Sequence, residues 1–259
     1  MTQNSKNSLL RLNKALSLAG VCSRRKAEEW IKKGWIKVNQ QTVQELGCKI
    51  NPARDRIQVQ DKALPLISDQ VQEHIHLVLH KPAQVVCTLH DPQNRACIPD
   101  LLPEEMRAYR LLPAGRLDYM SEGLLLLSTD GELIQNASHP SRKKTKTYQV
   151  LIREKVNSRK LEAMTQGMQL QEGEQLAPVQ ARVLGRRQKQ GTWLELVLQQ
   201  GINRQIRRMC RDLELTILQL IRTRQGPVHL GDLPPGQYRF LTAREIKALQ
   251  TISKTSNNK

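Results

Sequence analysis

Four consecutive leucines, Leu124 to Leu127, stand between the acidic segment "GRLDYMSEG" and an Asp130-Gly131 pair. An apolar run of that length ended by a turn signal reads as a buried strand, which obliges the chain to build a covered sheet around it. Asp118, six residues before the run and next but one to Arg116, then falls at the rigid interior edge of the fold, where a catalytic acid would be placed. Taken alone, the bland reading is the stronger. Arg-Leu-Asp arises easily by chance, and an Asp near a strand end is usually a cap or a paired core charge.

The rest of the chain changes that balance. With 259 residues and 39% hydrophobic content it can bury a real core, as one large domain or as a small and a medium one. Its 41 Lys and Arg against 24 Asp and Glu give a net charge of +17, a field that makes nucleic acid the default partner. A membrane surface is disfavoured because the sequence has no 18-residue apolar span, no long basic amphipathic helix and no apolar leader in "MTQNSKNS". A cytoplasmic protein is expected. The five cysteines are widely spaced, odd in number and without a CxxC pair, which suits a reducing compartment and argues against disulfides and structural zinc. His74 and His76 share a predicted strand face but have no third ligand at a recognisable spacing, so they read as solvated or core histidines and no metal is expected. Only three Trp, four Tyr and one Phe are present, so each aromatic near a basic cluster carries weight.

Residues 1–61 hold 12 Lys and Arg against 5 Asp and Glu, the denser cation of the chain. Within them Leu12, Ala15, Leu16 and Ala19 have helical spacing, Gly20 stops the helix and Ser23 is placed to cap the next. That second helix, "RRKAEEWIKKG", should bury Ala27, Trp30 and Ile31 and end at Gly34. "WIKVNQQTV" reads as strand, turn and strand, and "LGCKINPARDRIQV" closes a small sheet. Over residues 10–60 this order resembles the alpha-L RNA-binding module first recognised in a small-subunit ribosomal protein. The resemblance implies that Arg24, Arg25, Lys32, Lys33 and Lys37 supply phosphate contacts, which position RNA without reading sequence. Two departures are visible: Lys26 stands where a Glu often completes a capping box, and the usual Asn-Gly turn reads Asn39-Gln40.

After an aperiodic stretch at residues 62–75, strands such as "IHLVLHKP", "TYQVLIREKV" and "TWLELVLQQG" alternate with shorter helical patterns such as "NRQIRRMCRDLEL". An α+β domain on a mixed, largely antiparallel sheet with flanking helices is expected. The domains are placed at 9–61, 76–249 and a linker of 62–75, with a disordered tail at 250–259.

Three basic segments accompany the acidic motif. "RKKTKTYQV" sets Tyr148 at a strand start behind Arg142, Lys143, Lys144 and Lys146, "GINRQIRRMC" carries Arg204, Arg207 and Arg208 around Ile206, and "IRTRQGPVHLGDLPPG" gives Arg222 and Arg224 before a turn-rich hairpin. Singly, Tyr148 reads as a core residue with a wet hydroxyl, Arg207 as a surface charge and the last segment as structure. Together with "GRLDYMSEGLLLL", "LHKPAQVVCTLHDP" and the leading module, in this order and spacing, they resemble the rRNA pseudouridine synthases of the RsuA/RluB type from residue 10 to about 248. Departures lie outside the acidic motif: Gln84 replaces a common Gly after "KP", Ile202 a common Arg before "NRQ", and "RIG" reads Arg224-Gln225-Gly226.

The resemblance implies an intramolecular rearrangement of uridine that needs no metal or other cofactor. It makes Asp118 the acting carboxylate, Arg207 the basic residue that pairs with it and favours its ionised form, and Tyr148 the aromatic packed on the target uracil. Ile206 would support that ring, Arg116 would fill the stack vacated by the extruded base, and Lys146, Arg204 and Arg208 would line the RNA backbone groove. The expected substrate is ribosomal RNA or an assembly intermediate, 23S in preference to 16S, and the expected state a monomer. The alternatives are the same reaction on 16S rRNA and a noncatalytic RNA-binding factor of ribosome assembly. A nuclease or methyltransferase lacks the acidic metal cluster or glycine-rich loop it would need.

Overall fold

A computed structural model describes residues 9–64, 74–138, 144–187 and 191–251, with the backbone alone at 186 and 187. The chain divides into two compact units between His74 and Ile75.

The first unit begins with β1 (Leu10–Arg11), α1 (Leu12–Leu18) and α2 (Arg24–Lys32), followed by β2 (Ile36–Val38), β3 (Gln41–Val43), β4 (Lys49–Ile50), β5 (Ile57–Val59) and β6 (Lys62–Ala63). Gly20 takes φ +71° after α1, and the Ser23 hydroxyl accepts from the Lys26 amide at 3.1 Å to start α2. Leu12, Ala15, Leu16, Ala27 and Ile31 close against Ile36, Ile50 and Ile57, while Trp30 is only partly buried beside them. The expected single sheet is two: β3-β2-β5-β6 and a separate β1-β4 pair. Lys62–Ala63, placed by sequence in a linker, is the edge strand of the larger one. At the Asn39-Gln40 turn both residues have positive φ (49° and 69°), as a two-residue turn of this hand requires. The Asn39 side chain secures it by donating to Asp55 at 2.9 Å and accepting from the Arg56 amide at 2.9 Å.

The second unit contains β7 (His76–Lys81), α3 (Glu104–Arg107), β8 (Leu112–Pro113), β9 (Glu122–Ser128), α4 (Gly131–Ser138), β10 (Lys146–Ile152), α5 (Ser158–Gln166), β11 (Gln180–Arg187), β12 (Gly191–Leu198), α6 (Gln205–Asp212), β13 (Ile217–Gln225), β14 (Val228–His229), β15 (Tyr238–Phe240) and α7 (Ala243–Gln250). Its sheet runs β11-β12-β10-β13-β9-β7-β15, with β14 on β13 and β8 on β9. Among the described strands only β13 and β9 pair in parallel, at Ile221 with Glu122 and Arg222 with Gly123. The mixed, largely antiparallel sheet with flanking helices is therefore as the sequence predicts.

The leucine run explains the layering. Successive strand side chains point to opposite faces; Leu124 and Leu126 pack with Leu133, Ala137 and Leu249 of α4 and α7, and Leu125 and Leu127 pack with Ile98, Leu102 and Met106 on the other side. All four are fully buried, each worth about 2 kcal/mol of transfer free energy. A third core joins β10, β12 and β13 to α5 and α6 through Val150, Met164, Leu194, Leu196 and Met209. Asp130-Gly131 does not merely turn the chain: the Asp130 carboxylate accepts from the Glu132 amide at 2.7 Å, and α4 starts at Gly131. The last helix, α7, runs to Gln250, into the segment expected to be disordered; residues 252–259 of that tail lie outside the described residues.

Candidate active site

The acidic loop, the first strand residues of β10, the middle of β13 and the first turn of α6 enclose a cavity of about 210 Å³. Arg116, Asp118 and Ser121 come from the loop, Lys146 and Tyr148 from β10, Leu220 and Arg222 from β13, and Arg204, Gln205, Ile206 and Arg207 from the approach to α6. Topology brings them together, since β13 lies between β10 and β9 and Tyr148 registers opposite Arg222. The crossing of β13 and β9 is close: Gly123 has φ +104°, and a Cβ there would collide with the Arg222 carbonyl oxygen. Leu198, Leu220 and Ile206 give the cavity an apolar lining, with Arg116 and Arg204 exposed beside it.

Asp118 and Arg207 meet with Nε and Oδ2 3.6 Å apart. The Arg207 Nη2 donates to the Met120 carbonyl at 2.8 Å and to the Ser121 hydroxyl at 3.0 Å, so the guanidinium ties α6 to the acidic loop. Burial pushes the Arg207 pKa down while Asp118 opposes the shift; arginine remains charged regardless.

Beneath the loop lies Lys81, fully buried at the end of β7. Its ammonium donates to the carbonyls of Pro82 (2.7 Å), Ser121 (2.8 Å) and Tyr119 (3.4 Å). Burial lowers its pKa, with Cys87, Glu122 and Asp118 opposing that shift. Gln84 donates its amide to the Tyr119 carbonyl at 2.7 Å from a left-handed φ of 64°, the conformation that makes glycine the easier residue there. Cys87 accepts the Leu117 amide on Sγ at 3.3 Å. The loop is thus held from below by β7 and its successor, from the side by α6 and at its end by Gly123.

The predicted residues Asp118, Tyr148, Arg207, Arg116, Ile206, Lys146 and Arg204 all line this one cavity. Lys146 carries a pKa lowered by burial and then by the Arg222 charge. Arg208 does not join them. One residue after Arg207 on the helix, it pairs with Glu174 at 2.6 Å and Glu172 at 3.3 Å instead of lining the cavity. Lys144 likewise spends its ammonium on the Ala248 and Leu249 carbonyls at the end of α7, and Arg142 and Lys143 lie outside the described residues. In the first unit Arg24, Arg25, Lys32 and Lys33 are exposed, with Lys33 4.7 Å above the Trp35 ring. Lys37 instead pairs with Asp61 at 2.7 Å.

Sequence reasoning missed Lys81, Ser121 and Gln205, and gave Arg222 no role. Lys81 and Ser121 stand within recognisable motifs, but what marks them is burial, Lys81 against loop carbonyls and Ser121 against the Arg207 guanidinium, which no spacing displays. The departure at Gln225 is explained as well: its fully buried amide donates to the Ala114 and Ala137 carbonyls at 3.1 Å each. His76 is engaged with the Ser128 hydroxyl at 2.8 Å, and no cluster of three metal-ligating side chains occurs among the described residues. No described helix is long and apolar enough to cross a membrane.

A carboxylate paired with arginine, an aromatic wall and exposed cations at one small cavity suit a flat base on an anionic backbone. The RNA pseudouridylate synthase family profile matches residues 75–212, which hold most of this site, and the S4 domain profile matches residues 10–54. The chain is 36% identical over 241 residues to an uncharacterised RNA pseudouridine synthase of Aquifex aeolicus, covering 93% of each. It is 34% identical over 249 residues to the ribosomal large subunit pseudouridine synthase B of Bacillus subtilis, covering 96% of this chain and 98% of that one. A crystal structure of a pseudouridylate synthase superposes with TM-score 0.66 at 28% identity, covering 93% of this chain and 99% of the other. With an S4 domain leading a catalytic sheet of this topology, the chain belongs to the RNA pseudouridine synthase family.

Proposed function

We propose that this enzyme isomerises a uridine of large-subunit ribosomal RNA, with Asp118 as the acting carboxylate. The observation that carries the reading is the Asp118–Arg207 pair at a cavity walled by Tyr148. The ribosomal large subunit substrate is suggested by the name of the Bacillus subtilis relative. A uridine stacked in RNA must leave its helix to enter, at a cost of roughly a few kcal/mol. Arg116, exposed next to the acidic loop, is suited to occupy the vacated stack. Tyr148 and Ile206 hold the base, and Lys146 and Arg204 offer cations to the adjoining phosphates. Asp118 then acts on the nucleotide as nucleophile or base, its charge balanced by Arg207. The S4 domain adds sequence-independent RNA affinity through Arg24, Arg25, Lys32 and Lys33.

The test is a carbodiimide and primer-extension map of pseudouridine across both large rRNAs. The strains compared lack the gene and are complemented with wild type or with Asp118→Asn. One 23S signal lost in the deletion and restored only by wild type is expected. A lost 16S signal would move the substrate to the small subunit. An unchanged map with no redundant synthase would favour a noncatalytic RNA-binding role.

A further inference from the structure

Two polar side chains in the cavity wall have no task in the reaction as described so far. Gln205 is 4% exposed, and neither its Oε1 nor its Nε2 has a hydrogen-bond partner among the described residues. Arg222 is 1% exposed. Its Nε donates to the Leu124 carbonyl at 2.7 Å and its Nη1 to the Arg116 carbonyl at 3.5 Å, but its buried Nη2 has no hydrogen-bond partner among the described residues. Buried polar groups are costly to leave unpaired, and here the two residues that carry them line one cavity with Asp118 and Tyr148. Both are set by the scaffold. Gln205 opens α6 two residues before Arg207, and the Arg222 backbone is fixed against Gly123.

Their chemistry is complementary to one edge of a pyrimidine. A carboxamide offers a donor and an acceptor, and a guanidinium offers donors alone. Uracil presents acceptor, donor and acceptor along O2, N3–H and O4. Resting on the pseudouridine synthase reading, we propose that Gln205 and Arg222 together form the base-reading wall. The Gln205 Oε1 accepts from N3–H while its Nε2 donates to one flanking carbonyl, and the Arg222 Nη2 donates to the other carbonyl.

This wall suits the isomerisation itself. The N1–C1′ bond breaks, the ring makes a half-turn about its N3–C6 line, and the C5–C1′ bond forms. The C5 hydrogen leaves as a proton and N1 gains one, so atoms and electrons balance. The half-turn exchanges N1 with C5 and O2 with O4 but leaves N3–H in place. A donor-acceptor-donor wall therefore meets the same pattern before and after the turn, and holds the detached base without having to rearrange. The apolar residues of the cavity supply the sliding faces and the polar wall supplies the register.

Once the modified uridine is mapped, RNA carrying 2-thiouridine or 4-thiouridine at that single position provides the test, because sulfur is the poorer acceptor. Single-turnover rates would be measured for wild type, Gln205→Leu and Arg222→Met, with RNA affinity and thermal unfolding followed in parallel. Wild type should be slowed at least about tenfold by each thio substitution, the scale expected where a buried donor loses its acceptor. Each variant should be slowed at least about thirtyfold on unmodified RNA. Each should also lose most of the thio penalty at one oxygen or both, a non-additivity that a purely structural role would not produce. Thio penalties carried undiminished by both variants, or absent in wild type, would overturn the proposal. If Arg222→Met fails to fold, the wild-type thio rates with Gln205→Leu still decide it. Failure of wild type to convert any unmodified rRNA would instead sink the pseudouridine synthase reading on which the wall depends.

Discussion

In the S4 domain Arg24, Arg25, Lys32 and Lys33 stand exposed along one helix and its end, whereas around the cavity Arg207 is half-buried, Arg222 is buried, and each holds particular carbonyls. The first arrangement spreads charge and tolerates the loss of a member. Arg24 and Arg25 even sit in the first turn of α2, where the helix dipole disfavours cations by about 0.3–1 kcal/mol, so the helix does not need them for itself. The second arrangement concentrates its cations at one carboxylate and one loop. The difference teaches that the two regions should fail differently: the cavity abruptly, through one residue, and the basic face gradually, through many.

Asp118→Asn should show the abrupt failure at its largest. The substitution keeps the side-chain volume and removes the charge, so pseudouridine formation should fall at least about a thousandfold, near 4 kcal/mol of transition-state stabilisation. RNA affinity measured by filter binding should stay within about threefold, because phosphate contacts dominate it. A parallel loss of affinity would blur the contrast between cavity and basic face.

The neighbours Arg207 and Arg208 sharpen the contrast within a single helix turn. Arg207→Ala removes the partner of Asp118 and the donor to Met120 and Ser121, and single-turnover activity should drop by about a hundredfold or more. Arg208→Ala breaks pairs with the partly exposed Glu172 and Glu174 and a long donation to the Asn203 carbonyl, and surface pairs of this kind are worth about 0–1 kcal/mol each; activity within about threefold of wild type is expected. Equal damage from both would show that the helix acts as one cationic unit.

Much of this was legible in the residues. The leucine run required a strand covered on both faces, and the helix punctuation by Gly20 and Ser23 appears where the sequence placed it. Seven of the eight residues expected at the active site share one cavity. Arg208 is absent from the cavity lining because adjacent residues on a helix point about 100° apart, and only the packing of α6 decides which of them lines it. The pairing of Lys37 with Asp61 and of Lys144 with the end of α7 is likewise invisible in sequence, because a lysine in a basic run carries no mark of its partner. Lys81 and Gln205 depend on burial against partners, or on the lack of them, which is a property of three dimensions alone.

Two changes to the scaffold, away from the reacting atoms, test how firmly the cavity is built. Gly123→Ala forces a Cβ onto the Arg222 backbone at a φ of 104°, and should cost about 2–4 kcal/mol in urea unfolding. Lys81→Met leaves loop carbonyls without their donor and should cost about 1–3 kcal/mol. The pH dependence gives it a separate signature. Burial depresses the folded-state pKa of Lys81, so between that value and its unfolded value near 10.4 the unfolded chain binds more protons. Wild type should therefore gain stability relative to Lys81→Met as pH rises through that window. A gap independent of pH would mean that the ammonium is not strained by its burial.

The smallest expected effects belong to the basic face. Arg24→Ala and Arg25→Ala should each weaken RNA binding only about two- to fourfold at physiological salt, with little change in folding. Their diagnostic is the salt dependence, because each phosphate contact releases counterions and contributes about 0.7–0.9 to the slope of log affinity against log salt. The double variant should lower that slope by about 1.4–1.8. Lys37→Ala, whose charge is already shared with Asp61, should lower it measurably less than either arginine. A slope unchanged in the double variant would show that these arginines are a solvated helix face, and RNA affinity would then have to come from the cations around the cavity, where affinity and chemistry could no longer be separated.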